Sequence, residues 1–135
     1  MSALSGKRIL IVEDEFFIAV TTCQVLEELG AVVVGPASTV TQAQPLAETE
    51  NIDIALLDIN LHGQSSTAIA ARLEARRIPV VFATGYGRGD GRDPAGRRVL
   101  SKPYTQERLV KHLCAALEEK GRADHRQEDE IRSEE

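Results

Sequence analysis

Five side chains stand where apolar runs end, and their types suit one chemistry. RILIV is followed by Glu13 and Asp14, and IDIALL by Asp58, with Asn60 two residues on. PVVFA is followed by Thr84 and Gly85, and VLS by Lys102. Carboxylates brought to one place raise one another's pKa, and a divalent cation removes that conflict. Mg2+ prefers oxygen ligands and binds through a few carboxylates plus a phosphate; Mn2+ is the natural substitute. In such a site Asp14 and Asp58 are direct ligands, Glu13 a direct or water-mediated one, and the Asn60 backbone carbonyl a further donor. Asp58 keeps a second oxygen that can attack phosphorus. The Lys102 ammonium, the Thr84 hydroxyl and backbone N–H groups near Asn60 and Gly85 would hold the phosphoryl oxygens. Acids at strand ends are often solvated or cap a helix, as Asp14 alone could. The full set on four separate strand ends is what favours a site.

Convergence of these residues requires the right elements. Short apolar runs at Arg8–Val12, Ala31–Val34, Ile52–Leu57, Pro79–Ala83 and Val99–Ser101 read as strands covered on both faces, because they scarcely alternate. Helical patterns separate them. The first runs from Glu15 to Leu29 with Gly30 as its stop, and puts Ile18, Val25, Leu26 and Leu29 on a core face. Phe16, Val20 and Cys23 fall opposite, under a neighbouring helix or on a docking surface. Ser38 or Thr39 caps a second helix to about Glu48, which Pro45 should kink or shorten. A third spans about Ser65 to Arg76, and the last about Thr105 to Lys120, with Gly121 as its stop. Alternation of this kind predicts an α/β, doubly wound parallel sheet with helices on both faces. In such sheets functional groups gather at the C-terminal strand ends.

Two stretches break the pattern. Tyr86 to Arg98 carries four Gly, four Arg, one Pro and two Asp with no apolar stripe. It reads as a loop in which a fourth helix is short or disordered. After Gly121 the chain has six acids, three bases and one aliphatic residue, which predicts a disordered acidic tail over 122–135 behind a domain over 1–121. The formal charge of −5 argues against nucleic acid as a direct partner. Cys23 and Cys114 lack metal or disulfide spacing and, in apolar helix-like stretches, read as buried or half-buried free thiols. No apolar run is long enough for a membrane span, and the N-terminus does not read as a signal peptide, so a cytoplasmic location is expected.

The segments ILIVEDE, DIALLDINLHG, VVFATG and LSKPY, in that order over residues 7 to about 120, resemble the receiver domain of bacterial two-component response regulators. The resemblance implies a flavodoxin-like (βα)5 sheet of order 2-1-3-4-5, with Asp58 phosphorylated by a sensor histidine kinase. It implies Mg2+ at Glu13, Asp14, Asp58 and the Asn60 carbonyl, phosphoryl contacts from Thr84 and Lys102, and a cis Lys102–Pro103 bond. FATGYG further resembles the FATGUY subgroup, found largely in alphaproteobacteria, whose members tend to work with kinases of the HWE and related types.

Departures from the family pattern carry their own expectations. Val99 stands where many receivers have a Tyr or Phe that swings inward with the threonine, so the usual aromatic switch is absent. The fourth helix, whose face commonly pairs two phosphorylated receivers, reads as shortened or melted, so dimerisation through it is not expected. Transmission is then expected through ordering or movement of the segment from Gly85 to Arg98. Tyr86, two residues past Thr84, is placed by the resemblance to shield a phosphoaspartate and slow its hydrolysis. His62 reads as a loop residue, and His112 and His125 as surface or tail. The expected product is a single-domain regulator that docks an unknown downstream protein or relays phosphoryl groups, with no chemistry beyond self-phosphorylation and slow self-dephosphorylation. A pseudo-receiver that keeps only the fold is the first rival. A haloacid-dehalogenase-type phosphatase is the second, and it would need an Asp where Asn60 stands.

Overall fold

Parallel strands and covering helices alternate along the chain in the computed structural model, which describes residues 2–85 and 89–134. The elements are β1 (Arg8–Val12), α1 (Phe16–Glu28), β2 (Val32–Ala37), α2 (Val40–Thr49), β3 (Ile54–Asp58), β4 (Asn60–Leu61), β5 (Gln64–Ser65), α3 (Thr67–Ala75), β6 (Val80–Thr84), β7 (Gly91–Arg92), β8 (Arg98–Ser101) and α4 (Gln106–Glu134). The main sheet has the order β2-β1-β3-β6-β8-β7. Its first five strands are parallel and give the expected 2-1-3-4-5 order; β7 is antiparallel to β8.

Successive side chains on a strand point to opposite faces, and both faces here are apolar. Leu10, Val12, Leu57 and Phe82 pack with Ala43 of α2 and Ile69 and Leu73 of α3. Ile9, Ile11, Leu56, Val81 and Leu100 pack with Leu26 of α1 and Leu109 and Leu113 of α4. Two buried layers explain why the strands read as unbroken apolar runs rather than alternating ones. Thr39 caps α2 by accepting the Gln42 N–H at 3.1 Å, and α2 accommodates Pro45 within its ten residues.

Three expectations about elements need correction. First, the segment before β8 is neither a short helix nor disorder over its described part. Asp93-Pro94-Ala95-Gly96 makes a turn closed by the Gly96 N–H on the Asp93 carbonyl at 2.9 Å, and Asp93 also accepts the Arg97 N–H at 2.8 Å. Asp, Pro and Gly occupy the positions of a four-residue turn that each favours. The result is a hairpin of β7 and β8, anchored by Arg92 and Arg98 on Glu119 (2.7 and 2.8 Å) and by Arg97 on Glu74 (2.8 Å). The Arg97 guanidinium also lies 5.5 Å from the centre of the Phe82 ring.

Second, α4 does not stop at Gly121 but continues through the acidic segment to Glu134. One interior glycine costs about 1 kcal/mol relative to alanine. The ion pair at helical spacing of Lys120 with Asp124 at 3.3 Å opposes that cost, as do the pair of Arg77 with Asp124 and the contact of His125 Nε2 with Asp129 at 3.4 Å. Third, the buried stripe of α1 is Ala19, Thr22, Cys23 and Leu26, so Cys23 belongs to the core. Ile18, Val25 and Leu29 are half-buried, while Phe16, Phe17 and Val20 face solvent.

The backbone of Gly121 lies outside the left-handed region, and a Cβ added there meets nothing within 4 Å. Gly121→Ala is therefore expected to raise helix content and to stabilise α4 by about 0.5–1 kcal/mol. Circular dichroism through a urea titration checks this; unchanged or lower stability would mean that α4 ends at Gly121.

Candidate functional site

The parallel register decides which side chains meet. Val12 pairs with Leu57, Asp58 with Ala83, and Thr84 with Ser101. Backbone bonds carry the ladder past the strands: the Glu13 N–H donates to Ala37 O at 2.9 Å, and the Lys102 N–H to Thr84 O at 2.8 Å. Glu13, Asp14, Asp58, Thr84 and Lys102 are thereby delivered to one edge. Asp14, Asp58, Asn60, Thr84, Gly85 and Lys102 line one cavity of about 460 Å3. The Lys102–Pro103 bond is cis.

Within the cavity Lys102 Nζ lies 2.9 Å from Asp58 Oδ2 and 2.7 Å from Glu13 Oε1, and its side chain is 7% exposed. One carboxylate oxygen each of Glu13, Asp14 and Asp58 falls within 4.8 Å of the others. Backbone donors orient two of these acids. The Glu15 N–H reaches Glu13 Oε2 and the His62 N–H reaches Asp14 Oδ2, both at 3.1 Å. His62 is held in the left-handed region (φ 49°) at the tip of the small β4–β5 hairpin, with its N–H aimed at Asp14.

One ammonium among three carboxylates leaves a charge imbalance. Burial pushes the Asp58 carboxyl up to about 7, with Glu13 adding to the rise and the Lys102 bond opposing it. Burial disfavours the charged Lys102, but Glu13 and Asp58 outweigh it and hold the ammonium above its ordinary pKa. Burial also raises Asp14, yet the His62 N–H and the neighbouring carboxyls bring it below the usual range. An all-oxygen donor set with surplus negative charge fits a hard divalent cation such as Mg2+.

Other expected residues stand elsewhere. Val99 is half-buried beside Phe82 in the core, away from the cavity. Tyr86 lies outside the described residues. His112 is not at the surface: it is buried, with Nε2 3.0 Å from Asp90 Oδ2. Sequence reasoning also missed Ser66, fully buried, whose hydroxyl donates to the Asp58 carbonyl at 2.6 Å. It stands at the start of α3 like any cap, yet it makes no cap bond there. Tyr104 was missed as well; its hydroxyl is 2.6 Å from that of Thr22 on α1.

The profile of the response regulator receiver domain family matches residues 9–114. The transcriptional regulatory protein PdtaR of Mycobacterium tuberculosis is 29% identical over 116 residues, which are 82% of this chain and 57% of PdtaR. The phyllosphere-induced regulator PhyR of Methylorubrum extorquens is 32% identical over 122 residues, 87% of this chain and 46% of PhyR. The chain thus spans about half the length of the curated relatives it matches. The solution structure of SdrG from Sphingomonas melonis Fr1 is 46% identical, with a TM-score of 0.70 over 87% of this chain and 98% of SdrG.

The raised Asp58 pKa has a consequence for stability. The folded chain binds a proton at Asp58 that the unfolded chain has already released between the ordinary carboxylate range and about pH 7. Metal-free stability should therefore fall as pH rises through that window. Thermal melts in a chelator across pH 4–8 should show the fall, and Asp58→Asn should remove it. At pH 8 that variant should be more stable than wild type, by at most about 4 kcal/mol, since one pKa unit corresponds to about 1.4 kcal/mol and the rise to about 7 spans roughly three. A flat wild-type profile would show that Asp58 is ionised throughout.

Proposed function

Because the chain belongs to the response regulator receiver domain family of two-component signalling, we propose that Asp58 is the acceptor of a phosphoryl group supplied by a histidine kinase. The observation that carries the reading is Asp58 at the end of β3, bonded to Lys102 and within ligand distance of Glu13 and Asp14. Glu13, Asp14, Asp58 and the Asn60 carbonyl would hold Mg2+, which when bound neutralises the acids and the phosphoryl oxygens. An Asp58 oxygen attacks phosphorus; the new O–P bond forms as the bond to the donor's imidazole nitrogen, or to acetate in acetyl phosphate, breaks. Lys102 then exchanges its carboxylate partners for a phosphoryl oxygen, and the Thr84 hydroxyl donates to another. Ser66 keeps the Asp58 backbone still while the side chain reacts.

The kinase surface follows from what α1 exposes. Phe16 and Phe17 are 73% and 82% exposed, with their rings 5.6 Å apart and edge to face. Beside them an apolar groove runs between α1 and the start of α4, lined by Ile18, Val25, Pro103, Tyr104 and Leu109. Lys102 borders both this groove and the acid cavity, so a partner docked on α1 would present its phosphoryl group near Asp58. A kinase of the HWE or a related type suits the FATGYG stretch. Downstream, phosphorylation would act through the segment after β6, since Val99 provides no aromatic switch.

Incubation with acetyl phosphate and Mg2+ should add the mass of one phosphoryl group to wild type and none to Asp58→Asn. Lys102→Met should slow the gain by on the order of 100-fold, the usual effect of deleting one preorganised donor. A gain that survives Asp58→Asn would overturn the assignment. For the docking face, Phe17→Asp should reduce phosphotransfer from the cognate kinase at least about tenfold, as loss of a buried aromatic anchor does, and leave the acetyl phosphate rate unchanged. Equal loss with both donors would remove Phe17 from the interface.

A further inference from the structure

Lys102 is one long side chain, and its placement depends on the main chain at its root. A cluster outside the acid cavity grips that root from both sides. Asp90, in the segment between β6 and β7, accepts the Ser101 N–H on Oδ1 at 2.9 Å. Its carboxylate also receives Arg108 of α4, through Nε at 3.0 Å on Oδ2 and through a terminal nitrogen on Oδ1. Arg108 in turn donates to Ser101 O at 2.9 Å and to Pro103 O at 3.0 Å, the carbonyls immediately before and after Lys102. The buried His112 ring completes the cluster, with Nε2 on Asp90 and Nδ1 3.2 Å from Arg98.

We propose that Asp90 and Arg108 are positioning residues for Lys102, fixing the Ser101–Pro103 backbone so that the ammonium stands at the reacting oxygens of Asp58. Neither residue touches Asp58; both act through the lysine. Charged fork-to-carboxylate bonds are among the stronger and more directional contacts available to a surface pair. Here the fork is shared between a carboxylate and two peptide carbonyls. The Arg108 guanidinium beside Asp90 holds its carboxyl far below the usual range, so Asp90 stays a carboxylate paired with Arg108.

The cluster is not needed to hold the hairpin, because Arg92, Arg97 and Arg98 already anchor it to Glu119 and Glu74. Removal of Asp90 should therefore leave the fold in place and loosen only the turn that carries Lys102. Displacement of a catalytic group by about 1 Å can cost on the order of 100-fold in rate.

The proposal rests on the reading of Asp58 as phosphoacceptor, and two readouts separate the two ideas. Phosphorylation rates at saturating acetyl phosphate and Mg2+ are compared for wild type, Asp90→Ala, Arg108→Ala, Asp90→Asn and the hairpin control Arg92→Ala. Mg2+ affinity is measured calorimetrically on the same proteins. The alanine variants at Asp90 and Arg108 should slow by about 10- to 100-fold with Mg2+ affinity within about twofold of wild type. Asp90→Asn, which keeps an acceptor for the Ser101 N–H, should recover part of the rate, and Arg92→Ala should match wild type. The NMR resonance of the Lys102 ammonium reports the same placement without phosphoryl transfer. It should shift in both alanine variants and not in Arg92→Ala. If wild type takes no phosphoryl group, the acceptor reading fails, and the resonance alone decides the positioning. Wild-type rates with an unmoved resonance in Asp90→Ala and Arg108→Ala overturn the proposal, as does an equal loss in Arg92→Ala.

Discussion

Three carboxylates facing one ammonium at the end of a parallel sheet are the constraint on which the rest of this molecule turns. Lys102 bridges Glu13 and Asp58 at 2.7 and 2.9 Å, and yet Asp58 is still pushed up to about 7. A fold that crowds charge in this way sacrifices stability at the site, and the surroundings are organised to hold the arrangement. The two apolar layers clamp the strands that deliver the acids. Ser66 fixes the Asp58 backbone, and the N–H groups of Glu15 and His62 orient Glu13 and Asp14. A divalent cation is the natural complement to that surplus, so the same imbalance that weakens the metal-free fold prepares the site for its ligand.

The sheet and the acid cavity could be read in advance for a single physical reason. A strand buried on both faces must be a continuous apolar run, so RILIV and PVVFA announce themselves, and the residue where each run stops marks the C-terminal edge. The parallel topology then does the rest, since strands in register end at the same level. Glu13, Asp14, Asp58, Thr84 and Lys102 needed no three-dimensional information beyond strand order.

What escaped the reading depends on contacts between residues far apart in sequence. Gly121 reads as a helix stop on local propensity, but Arg77, in the turn just past α3, and the Lys120–Asp124 pair of α4 override it. Cys23 lies on the buried face instead of the opposite one because a stripe drawn through the largest residues of α1 leaves out the small ones, Ala19 and Thr22, which are buried with it. His112 was taken for a surface residue because nothing local shows that Asp90, 22 positions earlier, will fold over it. The hairpin is different: Asp93-Pro94-Ala95-Gly96 is a turn signal in plain view. The stretch lacks an apolar stripe, which a helix would need and a two-residue strand does not.

The small strand β7 has an effect that reaches beyond the site. Without it the sheet would end on β8, the strand leading into Lys102, with a row of unpaired N–H and C=O groups open to any passing chain. β7 covers that row with two residues, and the new border carries arginines and a proline turn rather than a long flat apolar edge. Borders of that kind are poor templates for strand addition. The hairpin before β8 therefore leaves the sheet, on the side of the strand that leads into Lys102, with a border ill suited to strand addition.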